Sequence, residues 1–204
     1  MITAIVAVAA YLLGSVSFAV IVSRVFQLPD PRTYGSGNPG ATNVLRSGNK
    51  FAAALTLLGD ALKGWLAVWL AERIAPAGDA ELAMALAGTL SVLGHMYPLF
   101  HGFQGGKGVA TALGALFGFS VYLGLGGIST WIILVAFFRT SSIASIASAI
   151  CAPFVAWMLF GFSHPVFASV VLLALLVIYR HRQNIKSILA GTERKFGQKA
   201  GPGA

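Results

Sequence analysis

Acidic side chains are nearly missing from this chain of 204 residues. Six Asp and Glu stand against fourteen Lys and Arg, and charged residues make up only 10% of the total. A soluble domain carries roughly 25% charged residues, so a water-facing globular fold is excluded. So few carboxylates leave no deep row of acids for a proton or cation path, which argues against an ion-coupled transporter. Cysteine occurs once, at Cys151 inside an apolar run, so there is no disulfide framework, and the thiol is expected to be buried and inert. The four histidines are scattered without metal-ligand spacing, and neither metal nor cofactor is expected. No small-residue cleavage site follows the first apolar run, so Met1–Val25 reads as an uninterrupted helix rather than a cleavable signal.

What the chain does contain is hydrophobic surface, 57% of its residues. Apolar runs of about 20 residues can span a bilayer as helices. Such runs occupy Ile2–Val22, Phe51–Ala71, Leu82–Phe100, Ile143–Phe162 and Pro165–Tyr179. The stretch Val109–Phe138 would reach roughly 45 Å as one helix, more than a bilayer core needs, and "GLGG" at Gly124–Gly127 marks an expected break.

The formal charge of +8 would suggest nucleic acid in a soluble protein; here its placement matters more, and no nucleic-acid partner is expected. Basic residues collect on cytoplasmic loops. Arg24, Arg32, Arg46 and Lys50 flank one loop, Lys107 and Arg139 stand apart, and Arg180, Arg182, Lys186, Arg194, Lys195 and Lys199 fill the tail. The loop near residues 72–81 instead carries Glu72, Asp79 and Glu81 with one Arg73. Keeping every basic cluster on one side requires two passes between Lys107 and Arg139. The expected architecture is therefore all-α and polytopic. It has seven transmembrane helices, some short, the N-terminus outside, the C-terminus cytoplasmic, and one domain over residues 1–204.

Three loops on the basic face are unusual. "YGSGNPGATNVLRSGN", Tyr34–Asn49, is dense in small donors and contains Arg46. It is either a turn-rich connector or part of a polar site. "HGFQGGKGVATALG", His101–Gly114, departs from the G-x-x-x-x-G-K-[ST] phosphate loop in spacing and in having Gly108 where Ser or Thr belongs. An NTPase is rejected, but backbone amides at a helix N-terminus beside a lysine still suit an anion. The alternative is a flexible hairpin with a snorkelling lysine. In "YRHRQNIKSILAGTERKFG", Tyr179–Gly197, His181 and Asn184 share a face if the helix continues. The bland reading of that segment is a basic tail on anionic membrane lipid. A fourth loop, "FRTSSIAS", offers hydroxyls as helix caps or phosphate ligands. Asp60 and Lys63, three apart within an apolar helix, are expected to pair. His95 is either an interhelical histidine or a site member. The H-x-x-x-x-D pattern of thioester-using glycerolipid acyltransferases is absent, and no Ser/His/Asp set stands out.

Taken together, "GSGNPGATNVLR" (Gly35–Arg46), "GHMYPLFHGFQGGKGVAT" (Gly94–Thr111) and "RHRQNIKSILAGTE" (Arg180–Glu193) resemble the three signature loops of the bacterial acyl-phosphate:glycerol-3-phosphate acyltransferase family. The resemblance runs over nearly the whole chain, "GDALKG" at Gly59–Gly64 included, and departs from the family at Pro39 and Lys186. It implies transfer of a fatty acyl group from acyl phosphate to the 1-hydroxyl of glycerol 3-phosphate. The products are lysophosphatidic acid and inorganic phosphate, formed at the cytoplasmic face of the bacterial plasma membrane. A soluble enzyme making acyl phosphate is the implied partner. The resemblance places Ser36, Arg46, Lys107, His181 and Asn184 in the substrate site, with His181, Lys107 and Asn184 as catalytic residues. Asn38, Thr42, Asn43, the phosphate-loop glycines Gly105, Gly106 and Gly108, and Ser142 or Ser145 complete the binding set. Asp60, Lys63 and Glu193 are structural, Glu193 by pairing a loop arginine. A small transporter of phosphorylated metabolites is the alternative.

Overall fold

The computed structural model describes residues 1–76 and 78–195; Lys199 and the end of the third loop lie outside them. Among the described residues the chain is all helix, without strands. The order is α1 (Ile2–Gly14), α2 (Phe18–Val25), α3 (Ala41–Val44), α4 (Lys50–Ile74), α5 (Ala80–Met96), α6 (Val109–Phe119), α7 (Val121–Phe138), α8 (Ser141–Phe160), α9 (Pro165–Arg180) and α10 (Arg182–Leu189). Five stretches are long and apolar enough to cross a membrane: Ile2–Val25, Lys50–Ile74, Ala80–His101, Val121–Phe138 and Ser141–Phe160. The bent pair α9 and α10 adds a sixth if counted as one span, and α6 is an apolar helix of 11 residues. The protein is thus a multi-pass membrane protein.

Val109–Phe138 is two helices, as the charge distribution requires, but the joint is not at the glycines. It is Ser120, whose backbone is extended (φ −164°, ψ 136°) and whose hydroxyl accepts from the Tyr122 N–H to cap α7. The "GLGG" glycines lie inside α7. Gly124 leaves room for the Phe117 ring, and Gly127 faces Leu116 and Leu113 of α6. They bring two helices close rather than breaking one.

The first span is interrupted, contrary to the uninterrupted Met1–Val25. Ser15–Ser17 leave the helix, and backbone freed inside a membrane must find partners within the protein. The Ser15 hydroxyl donates to the Tyr11 carbonyl and accepts from the Leu99 N–H at 3.3 Å. Lys63 of α4 donates its ammonium to the Val16 carbonyl at 2.6 Å. Small residues allow the helices that surround this break to touch. A Cβ on Gly64 would collide with the Thr111 carbonyl, and one on Gly114 with that of Ala61. The α4–α6 contact is therefore backbone to backbone, the packing mode expected where lipid supplies no hydrophobic drive.

Cys151 is on α8 but exposed on the outer face of the bundle, not buried. The apolar run that suggested burial in protein is the lipid-facing side of a helix.

Candidate active site

Four loops converge at one end of the bundle, around the mouth of a cavity of about 1080 Å³. Two of its walls are built by very different means.

The first loop is shaped by Asn43, which is 2% exposed. Its side-chain amide donates to the carbonyls of Pro31 (2.6 Å) and Tyr34 (3.1 Å). Its Oδ1 accepts from the Ser36 N–H at 3.0 Å and from the Arg46 guanidinium at 3.5 Å. All of the amide's capacity goes into folding Tyr34–Arg46 into a cup. Asn43 positions Ser36 and Arg46. Its own amide is already committed to the loop.

The second loop is clamped from two sides. The Gly106 N–H donates to the His95 carbonyl at 3.1 Å. Arg180 donates from Nε to the Gly106 carbonyl at 3.0 Å and from a terminal nitrogen to that of Gly105 at 2.6 Å. A Cβ on Gly105 would strike the His95 carbonyl, and one on Gly106 the His95 ring. These two glycines therefore serve close packing and lie beside the cavity rather than in its lining. They border a small enclosed space shared with the Ser15–Ser17 break, Lys63 and His95. Gly108, with φ +80°, turns the chain into α6 and does line the cavity.

The tail does not continue as one helix. α9 stops at Arg180, and α10 leaves at 57° with His181 at the joint. His181 and Asn184 nevertheless face the same cavity. The His181 ring is held by Nδ1 against the Val177 carbonyl at 2.8 Å. With Nδ1–H donating, Nε2 keeps its lone pair.

A chain of side chains ties the loops together. Lys107 Nζ donates to Asn184 Oδ1 at 2.5 Å. Asn184 Nδ2 donates to Glu193 Oε1 at 2.7 Å, and the Ser142 hydroxyl donates to the same oxygen at 2.6 Å. Glu193 thus joins the third and fourth loops through Asn184 and Ser142, where an arginine was the expected partner. Ser145 donates to the Ser141 carbonyl and accepts from the Trp131 indole at 3.1 Å. Ser36, Asn38, Thr42, Asn43, Arg46 and Lys107 all line the cavity, as do Ser142, Ser145, His181 and Asn184.

The mouth is electropositive. Burial above all, and the nearby Arg194, lower the Arg46 pKa from its ordinary value, against a smaller opposing pull from Glu193. Lys107 is likewise lowered, chiefly by burial and further by Arg46 and Arg180, against the pull of Glu193. Cations that burial and mutual repulsion destabilise gain most when an anion arrives.

Below the mouth the lining turns apolar. Leu57, Leu58 and Ala61 come from α4, Leu113, Leu116 and Phe117 from α6, and Ile128 and Trp131 from α7. Ala149 and Ala152 of α8 and Val170, Leu173 and Val177 of α9 complete it. One cavity therefore joins a cationic mouth to an apolar slot. Asp60 and His95 reach its side as part of a buried cluster. Asp60 Oδ1 lies 2.9 Å from Lys63 Nζ and 3.4 Å from His95 Nδ1. Asp60 and Lys63 pair as expected.

Sequence reasoning missed Arg180, which looked like one more tail charge, and the organising role of Asn43. No spacing rule marks either. Arg180 matters for the carbonyls that the second loop brings to it, and Asn43 for the carbonyls of Pro31 and Tyr34 that its own loop folds back onto it.

The sequence profile of the family described as glycerol-3-phosphate acyltransferase matches residues 4–191. A glycerol-3-phosphate acyltransferase of Ralstonia nicotianae is 58% identical over 98% of this chain and 97% of its own length. One from Cupriavidus taiwanensis is 55% identical, covering 95% of this chain and 96% of its own. Among solved structures, the crystal structure of PlsY, an integral membrane glycerol 3-phosphate acyltransferase, in its glycerol 3-phosphate form superposes with a TM-score of 0.89. It shares 38% identity and covers 96% of both chains. The lysophosphatidic acid form gives 0.87 at 37% identity, over 96% of this chain and 95% of that one.

Proposed function

This chain belongs to the glycerol-3-phosphate acyltransferase family, and from that membership we propose that it transfers a fatty acyl group from acyl phosphate to the 1-hydroxyl of glycerol 3-phosphate. The single observation that carries the reading is the cavity itself, cationic at its mouth and apolar below. Both substrates bear phosphate and one bears a hydrocarbon chain. The lysophosphatidic acid product has both features in one molecule.

The chemistry asks little of a nucleophile, because an acyl phosphate is a mixed anhydride and already activated. The 1-hydroxyl oxygen attacks the acyl carbon, the bond from that carbon to the phosphate oxygen breaks, and inorganic phosphate leaves. Lys107 and Arg46 hold the phosphates and the charge that grows on the carbonyl oxygen. The loops bring hydroxyl and carbonyl together, which supplies much of the acceleration. Asn184 and Glu193 fix Lys107 in place, and Ser36, Thr42, Asn38 and Ser142 supply polar contacts around the phosphates. The hydroxyl proton passes to a phosphate oxygen or to His181 Nε2. Among the described residues no cavity serine is hydrogen-bonded to a histidine, and Cys151 faces away. Direct transfer without an acyl-enzyme follows.

The donor is tested by supplying glycerol 3-phosphate with palmitoyl phosphate, palmitoyl-CoA or palmitoyl-carrier protein separately to the purified protein. Product from the acyl phosphate alone is expected. Comparable rates with either thioester would refute the donor assignment.

We place the protein in the bacterial inner membrane with seven spans, the N-terminus outside and the active site facing the cytoplasm. The mouth of the cavity gathers basic residues from three of the four loops, Arg46, Lys107 and Arg194 among them, and basic loops stay inside. Cysteines at positions 107 and 139 in a Cys151→Ala background are expected to resist an impermeant thiol reagent added to intact cells. Labelling of either would break this topology. The soluble enzyme that makes acyl phosphate would then deliver its product to the cytoplasmic leaflet.

A further inference from the structure

The apolar lining stops part-way along the helices. The lining residues farthest from the polar loops are Leu116 and Phe117 of α6, Gly127 of α7, Ala152 of α8 and Val170 of α9. Just beyond them Phe119, Leu123, Ala156 and Val166 belong to the same tightly packed core. Leu123 and Ala156 are fully buried and Val166 is 1% exposed. Along α8, Ser142 at the mouth and Ala152 at the floor are separated by a rise of about 15 Å, and the rise along α9 from Val170 to the level of His181 is about 16 Å. Half of a bilayer's hydrocarbon core is about 15 Å thick. The pit is therefore as deep as one leaflet, which is the length of an ordinary membrane acyl chain.

Two of the floor residues are the smallest available. Gly127 is helical, and a Cβ there would meet only the flexible ends of Leu116 at 3.2 Å and Leu113 at 3.4 Å. No backbone stands in the way, so a Cβ here asks those leucine ends to shift by a few tenths of an ångström rather than parting the two helices. Ala152 faces the cavity from α8 in the same layer. Larger side chains at either position would have the pit as their free space.

We propose that Gly127 and Ala152 set the length of acyl chain the enzyme accepts, by fixing where the floor of the pit lies. This rests on the acyl-transfer reading above. A chain that fits gains burial for each methylene it places in the pit. One that is too long must fold back or leave a segment outside.

The test measures kcat/KM for lauroyl, palmitoyl and stearoyl phosphate with the wild type, Gly127→Leu, Ala152→Leu and Val170→Ala. Raising the floor by the length of two methylenes is expected to lower the palmitoyl-to-lauroyl ratio about tenfold. Val170→Ala lowers the floor and should raise the stearoyl-to-palmitoyl ratio. Gly127→Ala, which adds one methyl, should shift the ratio in the same direction as Gly127→Leu but less, and it decides the matter if the leucine variants do not fold. Equal scaling of all chain lengths in Gly127→Ala and Val170→Ala would overturn the proposal. The chain would then leave sideways past Leu57 and Leu58, which are 47% and 64% exposed on α4. Failure of the wild type to use any acyl phosphate would instead sink the activity reading. A working wild type with an unchanged profile in the variants sinks only the ruler.

Discussion

Asp60→Ala is expected to cost about 3–5 kcal/mol of stability, the effect of removing one partner from a buried ion pair. The side chains of Asp60 and Lys63 are 3% and 1% exposed, so neither has water to fall back on. Lys63 also donates to the Val16 carbonyl at the interruption of the first span, and His95 leans on the same carboxylate. Losing Asp60 leaves an ammonium without its counter-ion beside a broken helix, and loosens the histidine that the glycine loop packs against. Thermal unfolding in detergent should show a large drop in Tm. The double replacement Asp60→Ala with Lys63→Ala should fall short of the sum of the two single effects, because coupled neighbours are not additive. A Tm unchanged in Asp60→Ala would mean that the cluster carries little of the fold.

Lys107→Ala should leave the fold intact and lose activity. A charge-assisted phosphate contact contributes about 1.5–3 kcal/mol, which corresponds to roughly tenfold to more than a hundredfold in kcat/KM. Arg46→Ala should fall in the same range. Lys107→Arg should rescue only in part, since a planar fork does not replace a point charge, and Lys107 is hemmed in by Asn184 and the glycine turn. There is also a pH signature. Burial holds the Lys107 pKa below that of an ordinary lysine, so its charge is lost at a lower pH. The KM for glycerol 3-phosphate should therefore begin to rise below pH 10.5, the ordinary lysine value. Lys107→Arg should push that limb to higher pH. Near-normal kinetics in both alanine variants would reduce these loops to connectors.

The helical segments were legible because a bilayer demands long apolar runs, and the placement of Lys107 and Arg139 at the two ends of Val109–Phe138 pointed to two helices there rather than one. The joints were not legible. Ser120 is a single serine between apolar residues, and it ends α6 only because its hydroxyl caps the next helix. Gly124 and Gly127 looked like a break because a glycine needed for contact and one needed for a turn are the same letter. The interruption at Ser15–Ser17 depends on Lys63, 47 residues away in sequence. Loop residues such as Ser36, Arg46 and Lys107 stood out by composition. Gly105 and Gly106 shared that signal, yet their carbonyls are held by Arg180, a pairing that only the bend after α9 creates.

The unequal hairpin of α6 and α7 has a chemical consequence. With 11 residues in α6 and 18 in α7, the returning helix is about 10 Å longer than the descending one. The short α6 turns back beside the apolar slot and lines it with Leu113, Leu116 and Phe117. In the proposed reaction, a mixed anhydride whose hydrocarbon chain lies in that slot would meet few water molecules, and water is the competitor that would otherwise consume it. On that reading the short helix would serve chemoselectivity, favouring the alcohol over bulk solvent as the group that reaches the carbonyl.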